Sequence, residues 1–448
     1  MYEQRNWSRV HRFRPYAVHH PSSEDEVAEI LRAAAALGHR VKVIGAGHSW
    51  SDAAVTSGHL LNLDHMNRVL EVDRERARVT VEAGMRLYQL NDILAAHGLA
   101  LPVLGSVSQQ SVAGAIATGT HGSGVGFGCI SSGVLGLRLI RADGEPVDIG
   151  EDDAEMLSAA RVHVGALGVV TRVTLQCEPA FNLRERVTVV DLDDALARMD
   201  EIATGGEHVK LWWLPHTHAV RISTLDRTDE PPDAPGPLVR VAEGALQLGT
   251  GRAIDLPAAV DTFLNERAFA GMLSLSARRP AMTPAINKLI AKAYFSPGRR
   301  VARGDRVFNL TMPPIHREAE FGVPRKRTAD ALAGLAELID RERLYVNFIV
   351  EVRFVAADDI MLSGAYGRDS CQLGAYIGDC RSCEPYFRGI EELCRPMGGR
   401  PHWGKEFLAT RDELREAYPM FDRFDAIRRE LDPDGLFEND FIRRVFAS

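Results

Sequence analysis

The side chains best suited to chemistry are a carboxylate, a guanidinium and an ammonium group late in the chain. Glu351 and Arg353 are two residues apart in the segment 343–355, which is predicted to be one strand, so both project from the same face. The rest of that segment is mostly apolar, and a charged pair buried in it needs a functional reason. Lys405 follows a loop that contains proline and glycine. Cations placed this way can stabilise a developing alkoxide. The alternatives are a surface ion pair and a solvated lysine.

Two glycine-rich segments earlier in the chain are suited to a phosphorylated ligand. Residues 45–50, Gly-Ala-Gly-His-Ser-Trp, directly follow a predicted strand and place His48 in a tight turn. Glycine lets the backbone approach a ligand closely and exposes N–H groups that bind phosphate oxygens. The GxGxxG fingerprint is not met, because Trp50 stands where the third glycine would be. Residues 105–124 are almost all small or hydroxylated, which suits a diphosphate and a ribityl chain; a flexible linker is the alternative.

Alternating helices and strands over the first 180 residues position these segments. A capping box of Ser23 and Glu26 predicts the start of a helix that Gly38 ends. A second helix is predicted at 87–97, and strands are predicted at 41–44, 60–63, 69–72, 78–82, 134–140, 146–149 and 169–176.

The composition changes near residue 180, and a helical tail follows residue 412 with a break at Pro419. We therefore predict a cofactor domain at 1–180, a substrate domain at 181–404, and a segment 405–448 that returns to the first domain.

The bulk composition bounds the class of protein. With 448 residues, of which 45% are hydrophobic and 25% charged, the chain has an ordinary globular composition and room for two or three domains. The net charge is −8 and no run of lysine and arginine stands out, which argues against a nucleic-acid partner. There is no run of about 18 apolar residues, and residues 1–20 contain no apolar stretch of signal-peptide length. We therefore expect a soluble, cytoplasmic protein.

The cysteines leave two interpretations open. Cys380 and Cys383 form a CxxC pair, which is typical of a zinc site or a disulfide. Free thiols in a reducing compartment are the other interpretation, and the absence of a second CxxC pair favours it. No metal site is expected.

Motifs along nearly the whole chain carry a resemblance to a known family. They are Gly45-Ala-Gly-His-Ser49, Val79-Thr-Val-Glu-Ala-Gly84, Thr118-Gly-Thr-His-Gly122, Gly165-Ala-Leu-Gly-Val-Val-Thr171, the segments 349–358 and 362–370, and Pro401-His-Trp-Gly-Lys405. Together they resemble the FAD flavoproteins of the vanillyl-alcohol oxidase type, and among these the sugar-1,4-lactone oxidase and alditol oxidase branch. The resemblance implies an α+β fold of two domains. One is a PCMH-type FAD-binding domain of two α/β subdomains, and the other is a substrate domain with a large antiparallel sheet.

The resemblance also implies how FAD is held. It implies a covalent bond from His48 to the 8α-carbon of the flavin, and it places His121 at the diphosphate-binding stretch instead. Besides His48, the residues it places around FAD are Ile44, Gly45, Ala46, Gly47, Ser49, Gly105, Ser106, Ser111, Gly114, Thr118, Gly119, Thr120, His121, Gly122, Gly168 and Val169.

On the substrate side, the resemblance implies that Glu351, Arg353, Lys405 and Ser106 form the catalytic wall. A hydride would pass from a carbinol C–H to flavin N5, and O2 would be reduced to hydrogen peroxide. In that family the residue before the substrate serine lies near the flavin edge that O2 must reach, and here it is Gly105. The resemblance therefore implies an open path for O2, which favours an oxidase over a dehydrogenase that uses another acceptor.

The aldonolactone oxidases are resembled more closely than the alditol oxidases by two features, the segment Leu211-Trp-Trp-Leu-Pro-His-Thr217 and a long helical insertion at 240–300. This resemblance implies a sugar lactone as the substrate. An alditol oxidised at a terminal hydroxyl is the alternative. Trp212 and Trp213 either pack against the sugar or fill the core.

Overall fold

A computed structural model describes residues 3–234, 269–310, 314–378 and 383–446 of the chain. The strands before residue 180 are β1 (Gln4–Arg5), β2 (Arg12–Phe13), β3 (Ala17–His19), β4 (Val41–Ile44), β5 (His59–Asn62), β6 (Val69–Asp73), β7 (Arg78–Glu82), β8 (Leu99–Ala100), β9 (Val134–Ile140), β10 (Pro146–Gly150), β11 (Val169–Gln176) and β12 (Glu178–Pro179). Those after it are β13 (Asn182–Asp191), β14 (His208–Trp213), β15 (Ala219–Thr228), β16 (Gly298–Arg303), β17 (His316–Pro324), β18 (Val350–Val355), β19 (Ser370–Gly378) and β20 (Arg400–Pro401).

Helices lie mostly between the strands. They are α1 (Glu24–Ala36), α2 (Leu87–Ala96), α3 (Val112–Ala117), α4 (Ala154–Arg161), α5 (Leu192–Ala197), α6 (Met199–Ala203), α7 (Thr283–Tyr294), α8 (Gly304–Phe308), α9 (Thr328–Arg341), α10 (Cys383–Cys394), α11 (Arg411–Ala417), α12 (Phe421–Leu431) and α13 (Asp440–Phe446). Residues 269–278 are also helical. No helix among the described residues is long and apolar enough to cross a membrane. Of the helical insertion predicted at 240–300, residues 240–268 lie outside the described residues.

Helix α1 begins and ends where the sequence predicts. The hydroxyl of Ser23 accepts a hydrogen bond from the backbone N–H of Glu26 at 3.2 Å, and Gly38 follows the helix at φ +67°. The carboxylate of Glu26 accepts instead from the backbone of Ser22 at 2.7 Å. The reciprocal half of the predicted capping box is therefore replaced by a bond one residue earlier.

A small parallel sheet, β3-β5-β4, holds the first glycine-rich segment at the end of β4. Val27 and Leu31 of α1 pack in one apolar cluster with Leu436 and Phe437 from the end of the chain. The backbone N–H of Val41 donates to Leu436 at 2.8 Å. The C-terminal segment thus packs on the first sheet, while the domain boundaries after residues 180 and 404 stay a prediction.

A five-stranded antiparallel sheet, β10-β9-β11-β7-β6, follows the first in the chain. The predicted hairpin of β9 and β10 is confirmed, and Gly144 in its turn has φ +81°. Helix α3 packs against β11, and Ser111 at its start lies against Gly45, which follows β4 of the first sheet.

The largest sheet has eight antiparallel strands in the order β16-β13-β15-β14-β18-β19-β17-β20. Strand β18 is interior to this sheet and all six of its residues are buried. The register sets Glu351 opposite Trp212 on one side and Gly374 on the other, and Gly374 in turn opposite Glu320. Residues from four strands that are distant in sequence therefore form one row across the sheet.

The predicted strand over 343–355 is wrong in its first half, since β18 begins at Val350. Arg343 has φ +52° directly after α9 and turns the chain out of the helix. The carbonyl of Val346 then accepts from the side chain of Asn287 at 2.9 Å, and Asn347 accepts from the backbone of Gly378. A side-chain amide, and not a neighbouring strand, donates to the Val346 carbonyl, which an apolar sequence pattern does not reveal.

The tail breaks at Pro419 as predicted, between α11 and α12. Cys380 lies outside the described residues, so both interpretations of the CxxC pair stay predictions. Among the described residues, no group of three or more histidine, cysteine or acidic side chains could hold a metal ion.

Candidate active site: two cavities that meet at His48

The first cavity is lined largely by backbone and by small side chains. It lies where β4 ends, beside the start of α3 and the start of β11. The predicted cofactor-binding residues that line it are Ile44, Gly45, Ala46, Gly47, His48, Ser49, Ser111, Gly114, Thr118 and Gly168.

Glycine is required in the turn that follows β4. A Cβ atom at Gly45 would lie 2.1 Å from the hydroxyl oxygen of Ser111, which caps α3 by accepting from the backbone of Gly114 at 3.2 Å. Gly47 has φ +67°, in the left-handed region. The close approach of two turns therefore shapes this cavity.

Several hydrogen-bond donors at this cavity have no acceptor in the described part of the chain. The backbone N–H groups of residues 46–49 have no hydrogen-bond acceptor among the described residues. The Nε2 atom of His163, on the cavity wall, is also buried without a partner there. Burial, with a contribution from Lys42, lowers the pKa of His163 to about 4, so its ring is neutral. Unused backbone donors in a glycine-rich turn suit a phosphorylated cofactor such as FAD.

His48 lines both this cavity and the second one. Its ring packs against Trp7 with a centroid separation of 5.6 Å. Burial, and then the positive charges of Arg86 and Lys405, lowers the pKa of His48 to about 4. The imidazole is therefore neutral at pH 7 and keeps a nucleophilic lone pair.

The second cavity has a volume of about 510 Å³, enough for a small sugar derivative. Its lining combines aromatic side chains, among them Trp7, Trp50 and Phe348, with a group of charged side chains. The predicted site residues that line it are Gly105, Ser106, Thr120, His121, Glu351, Arg353 and Lys405, and it shares His48, Ser49 and Thr118 with the first cavity.

Arg353 organises one side of this cavity. Its Nη2 atom donates to the hydroxyl of Ser106 at 2.7 Å and to Glu351 at 3.0 Å. Its Nη1 atom donates to the carbonyl of His121 at 3.3 Å. Its Nε atom has no partner within the described part of the chain. The expected pairing of Glu351 and Arg353 on one buried strand face is confirmed, with exposed fractions of 5% and 9%.

Glu351 is fully engaged. One carboxylate oxygen accepts from Trp212 at 2.7 Å and from Arg353, and the other accepts from the Tyr376 hydroxyl at 2.8 Å. Burial by itself would raise the pKa of Glu351, but Arg353, Lys210 and Trp212 outweigh it and hold the pKa below its usual value. This carboxylate is therefore a fixed negative charge.

Lys405 occupies the other side, where it forms ion pairs with two glutamates of β17. Its Nζ atom contacts Glu318 and lies 3.7 Å from Glu320. Glu320 bonds to the Nε2 atom of His121 at 2.7 Å. The Lys405 ammonium also lies 4.3 Å from the ring centroid of Trp50. The structure thus brings Lys405 into the same cavity as Arg353, to which only the family resemblance had connected it.

Some predicted residues lie elsewhere. Gly119, Gly122 and Val169 line neither cavity, and Val169 belongs to the apolar core. The resemblance placed His121 at the diphosphate stretch, whereas its ring lies in the charged cavity against Glu320. Contacts of these residues with FAD stay predictions.

Sequence reasoning missed His316, Glu318 and Glu320, which alternate along β17 and line the second cavity. The alternation of these three polar residues could have revealed them, because residues at every second position of a strand share one face. Sequence reasoning also left open whether Trp212 and Trp213 pack against the sugar or fill the core. Trp212 lines the cavity, and Trp213 is in the core.

The fold and the first cavity define the class, a flavoprotein with an FAD-binding domain. Residues 15–150 match the family model described as FAD binding domain. Residues 173–445 match the model of the D-arabinono-1,4-lactone oxidase family, and the chain belongs to that family.

Relatives match over nearly the full length. The L-gulono-1,4-lactone dehydrogenase of Mycobacterium tuberculosis is 37% identical, with 99% of this chain and 98% of that protein covered. The L-gulonolactone oxidase of Scyliorhinus torazame is 34% identical, with the same coverage. The D-arabinono-1,4-lactone oxidase of Kluyveromyces lactis is 39% identical over 91% of this chain and 85% of that protein.

Among solved structures, cholesterol oxidase from Brevibacterium sterolicum superposes with a TM-score of 0.81 at 17% identity. The superposition covers 99% of this chain and 96% of that one. The expected fold of the vanillyl-alcohol oxidase type, with its large antiparallel sheet, is confirmed.

Proposed function

We propose that this chain is an FAD-dependent oxidase of a sugar-1,4-lactone. The observation that carries the proposal is the meeting of two cavities at His48, one with unused backbone donors and one with paired cations. Membership of the lactone oxidase family supports the substrate class. Bound FAD would accept a hydride from a carbinol carbon and would return the electrons to O2 as hydrogen peroxide.

The residues proposed to hold FAD are those of the first cavity. Backbone N–H groups of residues 46–49 would bind the diphosphate oxygens, and the small residues around Gly45 and Gly114 would let the cofactor lie against the backbone. Thr118 lines both cavities and would lie near the flavin end.

The residues proposed to act on the substrate are those of the charged wall. Arg353, oriented by Glu351, would bind the reacting oxygen and stabilise its negative charge, and Lys405 would do the same from the other side. Ser106 would hold Arg353 in place and bind a substrate hydroxyl. Trp212 and Trp50 would exclude water from the site.

The proposed attachment of FAD is a bond from His48 to the 8α-carbon. A neutral, half-buried imidazole at the junction of the cavities is suited to that attack. In the test, the purified yellow protein is precipitated with acid. Flavin colour should remain with the polypeptide, while a His48→Ala variant should release its flavin. Complete release from the unaltered protein would contradict the covalent bond.

Oxygen as the electron acceptor is proposed from Gly105, which lines the second cavity. A Cβ atom there would lie 3.1 Å from the methyl of Thr120 and 3.3 Å from the carbonyl of His121, so glycine keeps this space open. The mycobacterial relative carries the name dehydrogenase, so use of another acceptor is the rival function. Gly105→Ala should slow peroxide formation more than reduction of an artificial acceptor. If peroxide formation and reduction of the artificial acceptor slow equally, Gly105 does not lie on the path of O2.

A lactone is proposed in preference to a polyol. Peroxide release is measured across a set of sugar-1,4-lactones and alditols under air. The proposal predicts a higher kcat/KM for at least one lactone than for any alditol. The reverse order would make the chain an alditol oxidase.

A further inference from the structure

Three buried glutamates line the substrate cavity, and one of them, Glu320, is bonded to His121 and lies beside Lys405. The hydrogen bonding of the other two, Glu351 and Glu318, is opposite. Glu351 has both oxygens occupied by Trp212, Arg353 and Tyr376. A carboxylate held by three donors is a poor proton acceptor, because protonation would break the bonds that stabilise its charge.

Glu318 is bound on one side only. Its Oε2 atom pairs with Lys405, while its Oε1 atom is buried with no hydrogen-bond partner among the described residues. A Cβ atom at Gly374, on the neighbouring strand, would lie 3.6 Å from Oε1, so the glycine leaves space beside this oxygen. Buried polar atoms are normally paired, and an unpaired one on a cavity wall is available to a ligand.

We propose that Glu318 is the catalytic base that takes the proton from the substrate hydroxyl, an inference that rests on the proposed function. The hydroxyl O–H bond breaks and the proton passes to Oε1, which becomes a carboxylic acid. The electron pair of that bond forms the new carbonyl as the hydride leaves the same carbon for bound FAD. Lys405 lies beside this carboxylate and stabilises the substrate oxygen as its negative charge grows.

The surroundings poise Glu318 for this role. Burial raises the pKa of Glu318 to about 7, against the opposing effect of Lys405. A base with a pKa near the working pH is the effective kind. The charged and titratable groups that face it are His316 and Glu320 on β17, Glu351 and Arg353 on β18, Tyr376 on β19, and Lys405 after β20.

Two of these neighbours are unable to replace it near neutral pH. Burial lowers the pKa of His316 to about 4, so that its ring accepts a proton only in acid. Burial, together with Glu318 and Glu351, raises the pKa of Tyr376 well above its usual value, so that the phenol stays protonated.

The test compares Glu318→Gln with Glu351→Gln. In the unaltered protein, kcat/KM for the lactone should fall below about pH 7, because a protonated base is inactive. Glu318→Gln should lower kcat by about 10²- to 10⁴-fold and abolish this pH dependence. Glu351→Gln should raise KM, and kcat/KM should keep its pH dependence. Glu318→Asp should restore part of the rate together with the pH dependence.

Glu185→Gln is the matched control, since Glu185 is also a buried strand glutamate but pairs with Arg300 and lines neither cavity. It should leave the pH profile unchanged. An acidic limb that survives in Glu318→Gln with FAD still bound, or that disappears in Glu351→Gln instead, overturns the inference. An unaltered protein that oxidises neither lactones nor alditols overturns the proposed function as well.

A second readout does not depend on turnover. Between about pH 6 and about pH 8, the infrared band of a protonated carboxylic acid should disappear in the unaltered protein and in Glu185→Gln. Burial also raises the pKa of Asp358 to about 6, so Asp358 contributes to this change, and Glu318→Gln should lose only the part that is centred near pH 7. The same titration in Glu318→Gln would assign the group elsewhere and overturn the inference.

Discussion

The two cavities are built by opposite means. The first consists of short segments, each contiguous in sequence, in which glycine and small residues bring the backbone close to a ligand. The second collects charged side chains from β17, β18 and the loop after β20, which only the eight-stranded sheet brings together. We therefore expect the first cavity to fail when an atom is added and the second to fail when a charge is removed.

The largest effect should follow removal of a charge from the second cavity. Lys405→Met keeps the length of the side chain and removes the ammonium that pairs with Glu318. We expect kcat to fall by about 10²- to 10³-fold, the usual consequence of losing one stabilising donor, with FAD retained. Steady-state kinetics and flavin absorbance measure the two quantities.

The control for that variant is Lys326→Met, at an exposed lysine of the same chain. Its kcat should equal that of the unaltered protein. Unchanged turnover in Lys405→Met would show that Lys405 does not act in the site. It would also contradict the expectation that the second cavity fails when a charge is removed.

A smaller effect should follow the addition of one methyl group to the first cavity. The new Cβ atom of Gly45→Ala would meet the Ser111 hydroxyl at 2.1 Å and displace the cap of α3. Overpacking of this kind costs about 1–3 kcal/mol. We expect a smaller fraction of the chains to acquire FAD, with the KM for the lactone of the loaded protein little changed.

Gly126→Ala is the matched control, because a Cβ atom there meets nothing within 4 Å. FAD content, measured by absorbance after gel filtration, should be full in this variant and reduced in Gly45→Ala. Full FAD content in Gly45→Ala would mean that this turn does not shape the cofactor cavity.

The smallest effect should come from Ser106→Ala, which removes a neutral partner and leaves every charge in place. Arg353 would lose the 2.7 Å bond to the hydroxyl but keep Glu351. Since the guanidinium keeps its other partners, the net loss is that of one ordinary hydrogen bond, about 0.5–1.5 kcal/mol. We expect kcat/KM to fall by about twofold to tenfold. A loss as large as that of Lys405→Met would show that Ser106 itself does chemistry.

The same contrast explains what the sequence could predict. The glycine turn before His48, the cap at Ser23 and the β9–β10 hairpin are local, and the structure confirms them. The pairing of Glu351 with Arg353 followed from strand alternation, which is local as well.

The residues that sequence reasoning missed depend on contacts between distant segments. Glu318 joins Lys405 only because β17 lies next to β20, and Trp212 reaches Glu351 only because β14 pairs with β18. The strand prediction was wrong over the first half of 343–355 for the same reason, since Asn287 from a distant helix donates to the Val346 carbonyl there. Strand order in a large antiparallel sheet was not available from local pattern.

The most direct test of the central claim joins both cavities in one measurement. The purified protein is mixed anaerobically with L-gulono-1,4-lactone or D-arabinono-1,4-lactone, in an amount equal to its flavin, and its visible absorbance is followed. The account predicts that the yellow colour bleaches, and that air restores it with about one hydrogen peroxide per lactone consumed. Colour that never bleaches with either lactone would contradict the claim, and colour that bleaches but does not return in air would identify a dehydrogenase.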